Sequence, residues 1–260
     1  MEQNNNDWES TFYQFFMKYF GLKVNALPFE LVAKNTQLKI IEKHNSINSI
    51  EALFFGQAGY LNSNINEEYY LKLKKEYEFL KNKFQLESID ISMWKLLRLR
   101  PYNFPTIRLA QLAQLLQCNT RMFNVFVNAK HLDEIKSYLA VSASSYWDNH
   151  FDFEKPSKQI MVKKVGKLTI DNIIINVIVP ILFVYAKSIN NEDLLLKSLK
   201  WLEETKAEKN SIITKWNSLS VIARNSLDSQ ALIELKNNYC SEKKCLNCNI
   251  GNKLLKQSPL

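Results

Sequence analysis

The chain has 260 residues with 46% hydrophobic and 12% aromatic content, enough core material for one large domain or two small ones. Its 5 Gly and 6 Pro are too few for the turns that a β-sandwich or barrel needs roughly every 8–12 positions, which leaves long helices joined by short loops. A net charge of +8 favours phosphate-bearing or acidic partners, although a Lys- and Asn-heavy composition also arises from nucleotide bias in a genome.

In chain order, the polar start "MEQNNNDWES" has no charged-then-apolar leader pattern. Asp7 is a good N-cap for the aromatic-rich "WESTFYQFFMKYF", and Gly21 is expected to close that helix as its C′ residue. The next helix is expected to begin near Pro28, which suits a first turn. "SINSIEALFFGQAGYL" reads as a helix whose glycines, Gly56 and Gly59, allow close packing. Glu67 to Phe84 is the clearest helix, with Tyr70, Leu73, Tyr77, Leu80 and Phe84 forming a core stripe at three- and four-residue steps.

Pro101 and Pro105 interrupt helicity before "IRLAQLAQLL". Ser142 to Gly166 is the most loop-like stretch. The apolar run Ile173 to Tyr185 contains Asn176 and Pro180 and falls short of the about 20 residues of a membrane span, so it is expected to be a buried helix. "NEDLLLKSLKWLEETKAEKN" and "SIITKWNSL" follow, and a helix expected to be capped by Asp228 delivers Cys240 at its end. The expectation is an all-α protein: one multi-helix globular domain over 1–260, with a soft joint near 145–165, short loops and a cysteine-containing C-terminal loop. A cytoplasmic location and no membrane partner are expected; the sequence leaves the oligomeric state undetermined.

No GxxxxGK[ST], GxGxxG, HExxH or GxSxG motif occurs, and His44, His131 and His150 are far apart in sequence, so an enzyme acting on its own is not indicated. Three stretches remain. Cys240, Cys245 and Cys248 are spaced C-x4-C-x2-C, a chelating pattern that lacks a fourth ligand unless Cys118 or a histidine supplies it. Zinc, an iron–sulfur cluster, metal-free packing as small buried hydrophobes, and a redox pair all stay open. The spacing is similar to the iron–sulfur loop of helix-hairpin-helix DNA glycosylases, but it is shifted, and Leu254 stands where that loop has its last cysteine.

"WKLLRLRPYNFPTIR" places Arg98, Arg100 and Arg108 around a proline-stiffened loop with Tyr102, Asn103 and Phe104. Guanidinium groups beside rings at a helix start suit phosphate and stacked bases. Equally, arginines of this kind brace loops against carboxylates such as Glu30, Glu51 or Glu76. Lastly, "SSYWDNHFDF" offers Trp147 and His150 as pocket-lining or packing residues.

"DWESTFYQFF", "PFELVA", "IEALFFGQAGYL", "RLRPYNFPTIRLAQLAQLL", "YWDNHFDF", "IDNIIINVIVPILFVYA", "SQALIELKNNYC" and "KKCLNCNIG", in this order, resemble the bacterial family named domain of unknown function 2851. The resemblance implies longer relatives that carry a preceding nuclease-like β-rich segment, of which this chain holds the helical C-terminal portion. It also implies nucleic acid, or a nuclease-like domain or protein, as partner. The expected role is therefore a nucleic-acid-associated helical accessory module, with Arg98, Arg100, Asn103 and Arg108 as its binding residues. The alternative is a scaffolding domain whose Arg and Cys clusters are structural. An enzyme with a pocket near Arg98, Arg100, Trp147 and His150 ranks last.

Overall fold

The computed structural model describes residues 7–257, without the Leu255 and Gln257 side chains, so residues 1–6 of the polar start lie outside the described residues. The protein is predominantly helical, with a single two-stranded sheet among the described residues. Its contacts divide it into two compact units, Met1–Ile178 and Val179–Leu260, and the 145–165 stretch lies inside the first.

The first unit opens with α1 (Trp8–Phe20), capped by Asp7, which accepts from Glu9 N at 3.0 Å. Phe12, Phe16 and Phe20 are fully buried and recur every fourth residue, giving α1 one aromatic face. That face meets α7 (Met122–Asn128) through Phe123 and Phe126, at 5.7 and 5.3 Å from Phe12. No side chain of α7 caps its own start; Glu9 does so instead, accepting from Phe123 N and Asn124 N at 3.0 and 2.7 Å.

Gly21 does not close α1 in a left-handed conformation, as the sequence suggests; its φ is −67° and the left-handed residue is Leu22 at 56°. What Gly21 provides is space, because a Cβ there would lie 2.5 Å from the Phe29 ring. α2 (Leu22–Asn35) breaks at Asn25, Pro28 falls within the first turn of its regular part, and the single turn α3 (Leu38–Ile41) follows.

α4 (Ile47–Gln57) and α5 (Glu68–Phe84) pack through Gly56, where a Cβ would fall 2.1 Å from the Tyr77 ring. On α5, Tyr70, Leu73, Tyr77 and Leu80 are buried, while Phe84 stays partly exposed beneath Lys43 and Lys83. Each buried side chain of that size stabilises the fold by about 1.5–3 kcal/mol. α6 (Pro105–Cys118) buries nearly every residue from Pro105 to Leu116, and α8 (Leu132–Leu139) follows α7.

The loop-like stretch holds a small hairpin, β1 (His150–Asp152) with β2 (Lys155–Pro156), paired antiparallel. Two strands this short show no alternation for a sequence pattern to reveal. α9 (Lys167–Ile173) runs into a π-helical segment, Ile174–Ile178. The wide turn precedes Pro180, which has no N–H to donate back along the helix. By length and composition alone, Lys167–Ser188 is apolar enough to cross a membrane, and 44% of its most apolar window is buried.

The second unit contains α10 (Val179–Ser188), α11 (Glu192–Glu204), α12 (Ser211–Ser218), α13 (Ser226–Glu234) and α14 (Asn249–Gln257). Asn191 caps α11, accepting from Leu194 N. Asn225 caps α13, accepting from Asp228 N at 3.0 Å; Asp228, the cap expected from sequence, instead pairs with Arg224 at 2.9 Å. A π-helical segment, Leu235–Cys240, carries the chain from α13 to the first cysteine of the cluster.

Candidate nucleic-acid interface

The Trp94 to Arg108 stretch is held at both ends and projects between them. Trp94 is buried and donates from its indole to Ala58 O at 2.7 Å. Buried Asn25 then grips Lys95 twice, accepting from its N–H and donating to its carbonyl, both at 2.9 Å. Next comes a tight turn, closed by Leu99 N donating to Leu96 O at 3.1 Å, with Arg98 at φ 66°. A 3-10 turn, Pro101–Asn103, leads into α6.

Arg98 and Arg100 are exposed, and among the described residues neither makes an ion pair. The three carboxylates offered by the sequence as braces are engaged elsewhere: Glu30 with Lys18 and Lys34, Glu51 with Tyr69 and Ser144, Glu76 with Ser49.

Arg108 does not share that surface. It is 3% exposed, and its Nη2 donates to Asn103 Oδ1 at 2.7 Å and to Thr169 Oγ1 at 3.1 Å. Its guanidinium lies over the Phe20 ring at 5.2 Å, and its Nε is unpartnered. With no carboxylate beside it, burial pushes its pKa down to about 10, so it stays charged at neutral pH. Asn103 is partly buried and is the link from this internal cation to the loop.

A second loop stands beside the first. Lys163 is fully buried and donates to Asp148 O at 2.7 Å and Met161 O at 3.1 Å. Its ammonium sits 4.3 Å from the Phe151 ring centroid, and burial lowers its pKa. Tyr102 of the first loop meets Phe151 edge-on at 5.4 Å and hydrogen-bonds the Met161 sulfur. Thr106 Oγ1 donates to Phe151 O at 2.6 Å, and Gln111 Nε2 donates to Lys163 O at 2.9 Å. Three hydrogen bonds and one ring contact therefore fix the bases of the two loops on each other and on α6.

Neither loop contains an acid: residues 91–132 have no Asp or Glu, nor do 155–170, which hold five lysines. Lys95, Lys158, Lys164 and Lys167 are exposed without an ion pair among the described residues, while Lys155 is tied to Asp152 at 2.7 Å. Between these cations stand exposed aliphatic side chains, above all Leu97 at 83% and Ile160 at 82%.

Behind the loops lies a carboxylate cluster that sequence reading does not assemble. Glu51, 1% exposed, accepts from Tyr69 Oη at 2.7 Å and Ser144 Oγ at 2.8 Å. The Trp147 indole faces this carboxylate closely enough to help lower its pKa, but Nε1 completes no hydrogen bond, so the two hydroxyls carry it. Burial dominates and pushes Glu51 up to about 7. Trp147 is itself fully buried and stacked on Phe55 at 5.2 Å.

His150 is mostly buried. Its Nδ1 lies 2.9 Å from Tyr146 O and its Nε2 3.5 Å from Glu67, whose carboxylate also accepts from Tyr146 Oη at 2.7 Å. The Tyr146 ring is stacked between Tyr69 at 3.9 Å and His150 at 4.1 Å. These groups pin the hairpin to the start of α5.

In the second unit, Cys240, Cys245 and Cys248 all line one apolar cavity of about 200 Å³, with Trp216, Leu235 and Tyr239. Cys240 and Cys245 are exposed and Cys248 half-buried, so they are not the tightly packed hydrophobes of one sequence reading. Among the described residues no three His, Cys, Asp or Glu side chains gather closely enough to hold a metal ion. Cys118 ends α6 and is exposed.

No curated protein and no solved structure matches the chain. A family model, described as a protein of unknown function (DUF2851), matches residues 1–211, a span that includes both loops and the Glu51 cluster, and the chain belongs to that family.

Proposed function

We propose that this protein is a nucleic-acid-binding helical module, and that the acid-free pair of loops around Arg98, Arg100, Lys158 and Lys164 is the face it uses. The observation that carries the reading is the combination of exposed, unpaired cations with no carboxylate on either loop, braced from behind by Asn103, Arg108 and Lys163. Cations already paired with carboxylates would have to surrender a partner to meet a phosphate; these do not. Partly exposed Tyr102 and the backbone amides at the start of α6 stand beside them. Arg108 acts in this reading as a positioning residue for Asn103, not as a phosphate contact. The nuclease-like partner implied by the family resemblance would act on nucleic acid held here.

The test is an anisotropy titration of the full chain against a fluorescein-labelled 20-base-pair DNA at 50 mM salt. Saturable binding supports the reading, and no binding at this salt concentration contradicts it. A scaffolding role is the second reading, and the exposed aliphatics Leu97, Ile160 and Val162 favour it. It predicts a protein partner whose binding survives 200 mM salt and is lost in Leu97→Asp.

A further inference from the structure

Two features of the loops are unexplained by phosphate binding alone. One is backbone geometry: in the Leu96–Leu99 turn, Arg98 occupies φ 66°, a left-handed conformation that an arginine adopts at a cost. A positive φ at the third residue of a four-residue turn places Leu97 at the outer corner, and Leu97 is accordingly 83% exposed. The other is that the companion loop also leads with a branched aliphatic, Ile160 at 82%, between Lys158 and Lys164. Tyr102, Phe151 and Met161 lock the two loops at their bases, so the aliphatic tips are carried on a fixed frame rather than on independent tethers.

Aliphatic side chains standing out from a cationic, acid-free surface have a specific use on duplex DNA. Proteins that bend the double helix push such side chains between base pairs from the minor groove while flanking cations hold the phosphates on either side. Unstacking a step is unfavourable, and the bend offsets it with additional phosphate contacts.

We infer that Leu97 and Ile160 are wedges that unstack and kink duplex DNA, with Arg98, Arg100, Lys158 and Lys164 gripping the flanking phosphates. The inference rests on the proposed nucleic-acid reading and specifies its ligand as double-stranded DNA that is bent on binding. It also accounts for an arginine in a left-handed turn: the same residue that forces Leu97 outward supplies the adjacent cation.

The experiment uses the full chain and a 20-base-pair DNA carrying 2-aminopurine at central steps and a donor–acceptor dye pair at its ends. Wild type is expected to raise 2-aminopurine emission several-fold and to increase energy transfer between the ends. Leu97→Ala with Ile160→Ala should bind within about threefold of wild type yet lose both signals, because the cations remain. Leu97→Met, which keeps an unbranched apolar wedge, should restore much of the emission change when paired with native Ile160. Binding without emission or transfer changes in wild type would overturn the wedge and leave the binding reading standing. Absence of DNA binding, with retention on vesicles of phosphatidylglycerol instead, would overturn both.

Discussion

Nη2 of Arg108 donates to Oδ1 of Asn103 at 2.7 Å, so a buried guanidinium holds the foot of the loop whose tip presents Arg98 and Arg100. Three arginines within eleven positions thus divide into one internal brace and two free cations. The division is energetic as well as geometric. Arg108 has no carboxylate partner and depends on Asn103, Thr169 and the Phe20 ring to offset its desolvation.

Truncating that brace should therefore cost stability. Arg108→Ala leaves Asn103 and Thr169 without their donor and opens a void under Phe20, a loss of about 2–4 kcal/mol. Arg108→Met, which fills the space and removes the buried charge, should cost at least ~1 kcal/mol less. Urea unfolding of the two variants measures the difference; equal losses would show that charge, not volume, is what the site needs.

Arg98 separates stability from binding. Arg98→Gly relieves the left-handed backbone and should leave the unfolding midpoint unchanged or raise stability by up to about 1 kcal/mol. The same variant should weaken DNA binding, since the cation is gone. A variant that lost stability would mean that the Arg98 side chain itself braces the turn.

Glu51 predicts a pH dependence with a definite sign. Its folded pKa of about 7 stands above the ordinary 4.5, so the folded protein binds this proton more tightly than the unfolded chain. Its stabilising contribution is full below about pH 4.5 and is lost as pH rises through about 7, on the order of 3 kcal/mol in all. Glu51→Gln keeps a group of the same shape for Tyr69 and Ser144 and has nothing to titrate. Stability measured from pH 5 to 8 should fall in wild type relative to Glu51→Gln; parallel profiles would show that Glu51 is ionised throughout.

Gly56 tests the packing of α4 on α5. A methyl group there would fall 2.1 Å from the Tyr77 ring, whose hydroxyl is also held by Gln57 Nε2 at 2.8 Å and cannot easily swing away. Gly56→Ala should destabilise by about 3 kcal/mol. Thermal unfolding reads it directly, and a shift of less than a degree would mean that the helices separate freely.

Much of this architecture is written locally. The α5 stripe and the Asp7 and Asn191 caps each depend on residues a few positions apart, so periodicity and capping chemistry reveal them. Arg108 shows where that reading stops and how it could have gone further. Ile107, Leu109, Ala110, Leu112 and Ala113 stand on several sides of α6, so Arg108 and Gln111, which a three-residue polar step would place on a solvent face, are both buried. The same reasoning applies to Glu51 inside "IEALFFGQ". The Glu67, Tyr146 and His150 arrangement had no such signal, because its members come from separate segments joined only by folding. Asp228 was a sound cap by residue type; Asn225, three residues earlier, took the role because the helix starts sooner.

The measurement closest to the central claim is the salt dependence of DNA binding by wild type and by Arg98→Asn with Arg100→Ala, where Asn tolerates the left-handed turn. Four phosphate contacts predict a slope of log affinity against log salt near −3 to −4 for wild type, and about two units shallower for the variant. Identical slopes and affinities for the two proteins would place the binding surface elsewhere on the molecule and contradict the account.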